Sequence, residues 1–174
     1  MKDLWNKEFA PQSVETPKEI IEQQCDSLER LTKGKITAKL SEYDGHIASY
    51  IKSGITSSIG AIGASLGDRE VNIQEDLGEI KSDNFIFEFF ITSKSTPNYK
   101  YRVMFIKYGI EFYPTLIVLD ESIASELDVE QNIEVASQEK FEEILEKILN
   151  SNKIEKVINA LLAIAMKEEK KLSF

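Results

Sequence analysis

The chain has 174 residues, a formal charge of -9, one histidine and one cysteine. That length suits a single domain, burying roughly 70% of its unfolded surface. The lone cysteine excludes an intramolecular disulfide, one Cys with one His cannot build a zinc site, and the negative balance disfavours a binder of phosphate backbones.

Neither a cleavable signal peptide nor an uninterrupted apolar span of membrane length is visible, so the expectation is a cytoplasmic protein without cofactor or metal, binding neither nucleic acid nor membrane. Residues 1–15 lack periodicity, and Trp5 and Phe9 at four-residue spacing suggest an arm docked on the body. A helix starts at Thr16, with Pro17 at its first position and Glu19 completing a capping box. Ile20, Ile21, Cys25, Leu28 and Leu31 form its apolar stripe, and Gly34 stops it. Cys25 on that stripe reads as a small core residue rather than a nucleophile.

Residues 35–43 alternate as a strand with Ile36, Ala38 and Leu40 on one side, and Asp44-Gly45 signals a hairpin whose partner is 46–52, although 46–66 also fits a helix of small residues. Residues 53–83 form a poorly specified Gly/Ser-rich insertion. The stretch 84–119 reads as a three-strand antiparallel meander. Phe85, Phe87, Phe89 and Ile91 share one face, and a five-residue loop at Lys94–Asn98 pairs Ile91 with Tyr101, Phe89 with Val103 and Phe87 with Phe105. A tight turn at Tyr108-Gly109 then sets Phe112 against Phe105 and Leu116 against Tyr101. The opposite face mixes Ile86, Phe90, Met104, Ile106 and Ile117 with Glu88, Lys100, Arg102, Glu111 and Tyr113.

Asp120–Asn132 reads as an acidic connection and 133–136 as a short strand. Phe141, Ile144, Leu145, Ile148 and Leu149, then Ile154, Val157, Ile158, Leu161, Leu162 and Ala165, recur at helical spacing, which gives a C-terminal helical hairpin over 138–171. The fold class expected is α+β: an antiparallel sheet of the meander plus an N-terminal strand or hairpin, with an N-terminal helix and the C-terminal helices. Charge is concentrated at 120–150, where ten acidic residues face only Lys140 and Lys147. Glu139, Glu142, Glu143 and Glu146 fall on the outer side of the first C-terminal helix and are the candidate partner-binding residues, set against the plain reading of a solvated face.

Chemical motifs are sparse. Gly63-Ala64-Ser65-Leu66-Gly67 matches the G-x-S-x-G pattern of a nucleophile elbow, but the only histidine, His46, precedes the serine and no oxyanion-loop motif accompanies it, so the glycines read as structural. No phosphate-cradling glycine motif or EF-hand spacing occurs. Glu88 and Glu111 are the least arbitrary carboxylate pair, and cross-strand pairing with Lys100 or Arg102 is their structural explanation. The tyrosines read as strand residues rather than base-stacking platforms.

The segments TPKEIIEQQCDSLERLTKGKITAKL, NYKYRVMF, EFYPTLIV and FEEILEKIL together resemble the layout of small bacterial α+β proteins that open with a capped helix ending in Thr-Lys-Gly. That resemblance implies no catalytic residue or ligand. The abundance of Lys, Ile, Asn and Glu suggests a bacterial or phage genome rich in AT. The expectation for function is a non-catalytic protein-interaction module of the immunity, antitoxin or phage-defence accessory kind, with a protein partner of basic character. One alternative is a small-ligand binder or enzyme with a polar site on the Glu88, Arg102 and Tyr113 face or around Ser65. The other is a structural homo-oligomer joined through the C-terminal helices.

Overall fold

The structure is a computed structural model that describes residue 4, residues 8–43 and residues 84–172. The expected 46–52 hairpin partner, the 53–83 insertion and the motif around Ser65 lie outside the described residues. The architecture is α+β. Helix α1 (Pro17–Leu31) leads into strand β1 (Ile36–Glu42), followed by β2 (Asn84–Ser93), β3 (Thr96–Gly109) and β4 (Thr115–Leu119). Helix α2 (Glu121–Leu127), strand β5 (Asn132–Val135) and helices α3 (Gln138–Leu149) and α4 (Asn152–Leu172) complete the chain. The strands form one antiparallel sheet in the order β1-β2-β3-β4-β5.

Helix α1 begins as its sequence dictates. Thr16 Oγ1 accepts from the Glu19 N–H and Glu19 Oε2 accepts from the Thr16 N–H, so two orphan donors are satisfied reciprocally. These bonds hold the Glu19 carboxyl below its usual value. The helix ends where Lys33 and Gly34 both take positive φ, at 53° and 75°. Ile20 and Ile21 are buried and Cys25 and Leu28 partly so. Leu31, expected on the same stripe, is 81% exposed, and Thr32 takes the inward place at this end of the helix, buried and bonded to Ile36.

The meander is present, but its register departs from the expected one. Lys94-Ser95 alone make the turn, closed by Ser93 opposite Thr96; Pro97 and Asn98 fall in an irregularity just after it, where proline's missing N–H does no harm to the ladder. Ile91 does pair with Tyr101. Phe90 then faces Arg102 and Phe89 faces Met104, so Val103 is an extra residue, a β-bulge in β3. Beyond it every pair is shifted. Phe87 faces Ile106 rather than Phe105, and Phe105 turns to the other side of the sheet. The β3–β4 connection is likewise longer than a tight turn: residues 110–114 contain Phe112 at φ 68° and a cis Tyr113–Pro114 bond, and Lys107 pairs with Leu116. Ile110 is 71% exposed, and Leu116, expected opposite Tyr101, lies on the second face.

The main core lies between one sheet face and the helices. Phe87, Phe89, Ile91, Met104, Ile106 and Ile117 meet Ile20 and Ile21 of α1, Ile123 of α2, Phe141, Leu145 and Ile148 of α3, and Ile154, Val157 and Leu161 of α4. The stretch expected to be a plain acidic connection contains α2, because Asp120 Oδ1 accepts from the N–H groups of Ser122 and Ile123 and nucleates a turn. On the far face Ile86, Phe105 and Val118 form a small separate cluster with Tyr43 and Leu116.

Candidate functional site

Two polar constellations emerge. The first is the outer face of α3. Phe141, Leu145 and Ile148 fill its inner side, which leaves Glu139, Glu142, Glu143 and Glu146 exposed. Glu139, Glu143 and Glu146 step along one stripe, and among the described residues none of the three enters an ion pair. Glu142 differs. Its Oε1 accepts from Gln138 Nε2 at 2.7 Å, and Gln138 Oε1 accepts from the Glu15 N–H at 3.1 Å. Glu15 also accepts from Gln23 Nε2 and, through its carbonyl, from the Tyr113 hydroxyl. This set fastens the segment before α1 to α3, and only Glu142 among the four glutamates has a place in it.

The second constellation lies on the far sheet face, where the bulge brings Lys100, Arg102 and Phe105 into a row opposite Glu88 and Phe90. Glu88 is 3% exposed and accepts from Lys100 Nζ at 2.8 Å through Oε2, while Oε1 has no hydrogen-bond partner among the described residues. Burial pushes its carboxyl above the usual carboxylate range, outweighing the opposing pull of Lys100 and Arg102. Burial likewise lowers the Arg102 guanidinium, against the pull of Asp120 and Glu88. Both cations also sit over rings: Lys100 Nζ is 4.1 Å from the centre of Phe90, and Arg102 Cζ is 4.8 Å from that of Phe105. The cross-strand pairing expected for Glu88 is realised with Lys100.

Comparison with family models, curated proteins and solved structures gives no match. The chemistry of the two constellations must therefore be read from their geometry.

Tyr113 does not join Glu88 and Arg102. It packs edge-on against Phe141 at 6.3 Å on the opposite side of the sheet, where burial raises its hydroxyl to about 12. Glu111 is exposed on the β3–β4 connection and is no partner for Glu88. Both displacements follow from the longer connection. Cys25 is half-buried and desolvation lifts its thiol to about 12, the behaviour of a packed rather than an activated thiol. Among the described residues no group of three or more His, Cys, Asp and Glu side chains could hold a metal, and no helix is long and apolar enough to cross a membrane.

Sequence reading missed two residues. Asp120 caps α2 and lies beside Tyr99 and Tyr101, whose buried hydroxyls are pushed upward mainly by desolvation. An Asp directly after an apolar strand was the available signal. Glu126 receives the Asn152 and Lys153 N–H groups at 2.6 and 3.0 Å and so caps α4 from another helix, a contact with no local signature.

Proposed function

We propose that this chain is a non-catalytic protein-interaction module whose α3 face receives a basic protein partner. The observation that carries this reading is the stripe of Glu139, Glu143 and Glu146, exposed and outside any ion pair among the described residues. Such a field raises encounter rates with an oppositely charged surface and contributes little to the fold. A cytoplasmic role as an immunity, antitoxin or phage-defence accessory fits a module of this kind.

The test is the association rate of a partner captured from the source cell, measured against salt for the wild type and for the Glu139→Lys, Glu143→Lys, Glu146→Lys variant. Glu142 is left untouched because Gln138 holds it. The wild-type rate should fall as salt rises, since screening acts beyond about 8 Å at physiological ionic strength, and the variant should associate more slowly at low salt with an unchanged denaturation midpoint. Equal rates without salt dependence would reduce the strip to a solubility feature.

A second reading, a small-ligand site on the far sheet face, is favoured by the buried Glu88 carboxylate, whose Oε1 is unsatisfied among the described residues. Its polar groups are Glu88, Lys100 and Arg102, without Tyr113.

A further inference from the structure

An antiparallel ladder alternates residue pairs that exchange hydrogen bonds with pairs that exchange none, so one bond fixes the pattern of a whole strand. The Tyr43 N–H donates to the Ile86 carbonyl at 2.9 Å. Stepping back two residues at a time reaches Ser41 opposite Glu88, Lys39 opposite Phe90 and Thr37 opposite Thr92. The N–H and C=O groups of Ile36, Ala38, Leu40 and Glu42 therefore point away from β2. Ile36 bears this out: its N–H donates to Thr32 Oγ1 at 3.2 Å, and its carbonyl accepts from the same hydroxyl at 3.1 Å. Thr32 thus closes the first outward position. The next outward groups, on Ala38 and Leu40, have no hydrogen-bond partner among the described residues.

These groups border a groove of about 450 Å³ that runs along the β1 edge. Glu22, Cys25 and Asp26 of α1 wall one side, and Lys39, Ser41 and Phe90 wall the other. A sheet edge with unpaired donors and acceptors is a template for another strand, and folded proteins usually cover or charge it. Here the edge lies in a cleft, where α1 would cover one face of an added strand.

We propose that this groove receives an extended segment of a partner protein, which pairs with β1 from Ala38 onward and points Lys or Arg side chains at α1. Strand addition draws affinity from main-chain bonds and specificity from alternate side chains. The side chains on the α1 side meet Glu22 and Asp26, both exposed and one turn apart, while those on the other side meet the Phe90 ring. The matching segment alternates basic and apolar residues. A second copy of this chain is the poorer occupant, because twofold pairing of β1 with itself would bring two α1 helices, each with Glu22 and Asp26, to the same side of the sheet. This surface is separate from the α3 strip, and reversing the charges on α3 does not touch it.

The test is amide hydrogen exchange at Ala38 and Leu40 in the full chain, with and without a short blocked peptide alternating Val and Lys. Exchange at both amides should slow roughly tenfold or more at saturating peptide. The same peptide N-methylated on alternate amides should give no protection, and this control leaves the protein unaltered. The Glu22→Lys, Asp26→Lys variant should bind about fivefold more weakly, as expected for two exposed charge contacts. Lack of binding, or binding that is indifferent to N-methylation and leaves both amides unprotected, would overturn the proposal. Protection without peptide that grows with protein concentration alongside a dimeric mass would assign the groove to a second copy and overturn the partner assignment.

Discussion

The bulge at Val103 predicts which aromatic residues communicate. Phe105 has no exposed surface, receives the Tyr43 ring edge-on at 4.9 Å and lies under the Arg102 guanidinium, whereas Phe87 sits on the other face stacked on Tyr108 at 5.9 Å. Truncation of either to Ala should cost about 3 to 5 kcal/mol from lost burial and a cavity. Both truncations together would approach the whole stability of a domain of this size, about 5 to 15 kcal/mol. Leu substitutions, at about 1 kcal/mol each, are therefore the better probes. Chemical denaturation followed by far-ultraviolet circular dichroism gives the coupling energies from double-mutant cycles. The Tyr43→Leu, Phe105→Leu cycle should show about 0.5 to 1.5 kcal/mol, the range for an edge-on aromatic pair. The Phe87→Leu, Phe105→Leu cycle should be additive within about 0.5 kcal/mol because the two rings share no neighbour across the sheet. A coupling above about 1 kcal/mol between Phe87 and Phe105, with none between Tyr43 and Phe105, would refute the bulge and restore a simple alternating register.

Three further outcomes can be checked. Because the folded-state pKa of Glu88 is raised, its carboxyl is protonated in both states below the ordinary value and opposes folding once deprotonated; wild-type stability should decline as pH rises from that value through the raised one, and Glu88→Gln should flatten the decline and be more stable at neutral pH, as read from urea midpoints at about pH 4 and about pH 8. Thr16→Ala should lower stability by about 1 kcal/mol in the same assay by opening the α1 capping box. Glu126→Ala should cost about 1 kcal/mol and speed amide exchange at Asn152 and Lys153 while leaving the start of α3 protected.

Local chemistry explains what the sequence made legible. The capping box, the apolar stripes of α3 and α4, the order of the meander strands and the short β5 each follow from residues within one turn or one strand. The register did not, because a bulge replaces one apolar residue with two: with Val103 and Met104 adjacent and both apolar, alternation counted from either end looks self-consistent. The loop residues misled for a related reason, since Pro97 and Asn98 suit an irregular strand as well as a turn. The outward glutamates of α3 could be placed from helical spacing alone. The Glu88 cluster was only partly legible, because the side to which Tyr113 turns depends on the five residues that join β3 to β4.

The extra residue in β3 also shapes how the gene can vary. From Tyr99 to Val103 the odd-numbered positions face the main core, and from Met104 to Tyr108 the even-numbered ones do. The strand is in effect written in two reading frames spliced at one position, so losing or gaining a codon within it acts on the fold as a frameshift acts on a message. Length variation among descendants of this chain should therefore collect at Lys94-Ser95 and at 110–114, while β3 itself stays free of gaps even where its individual side chains drift.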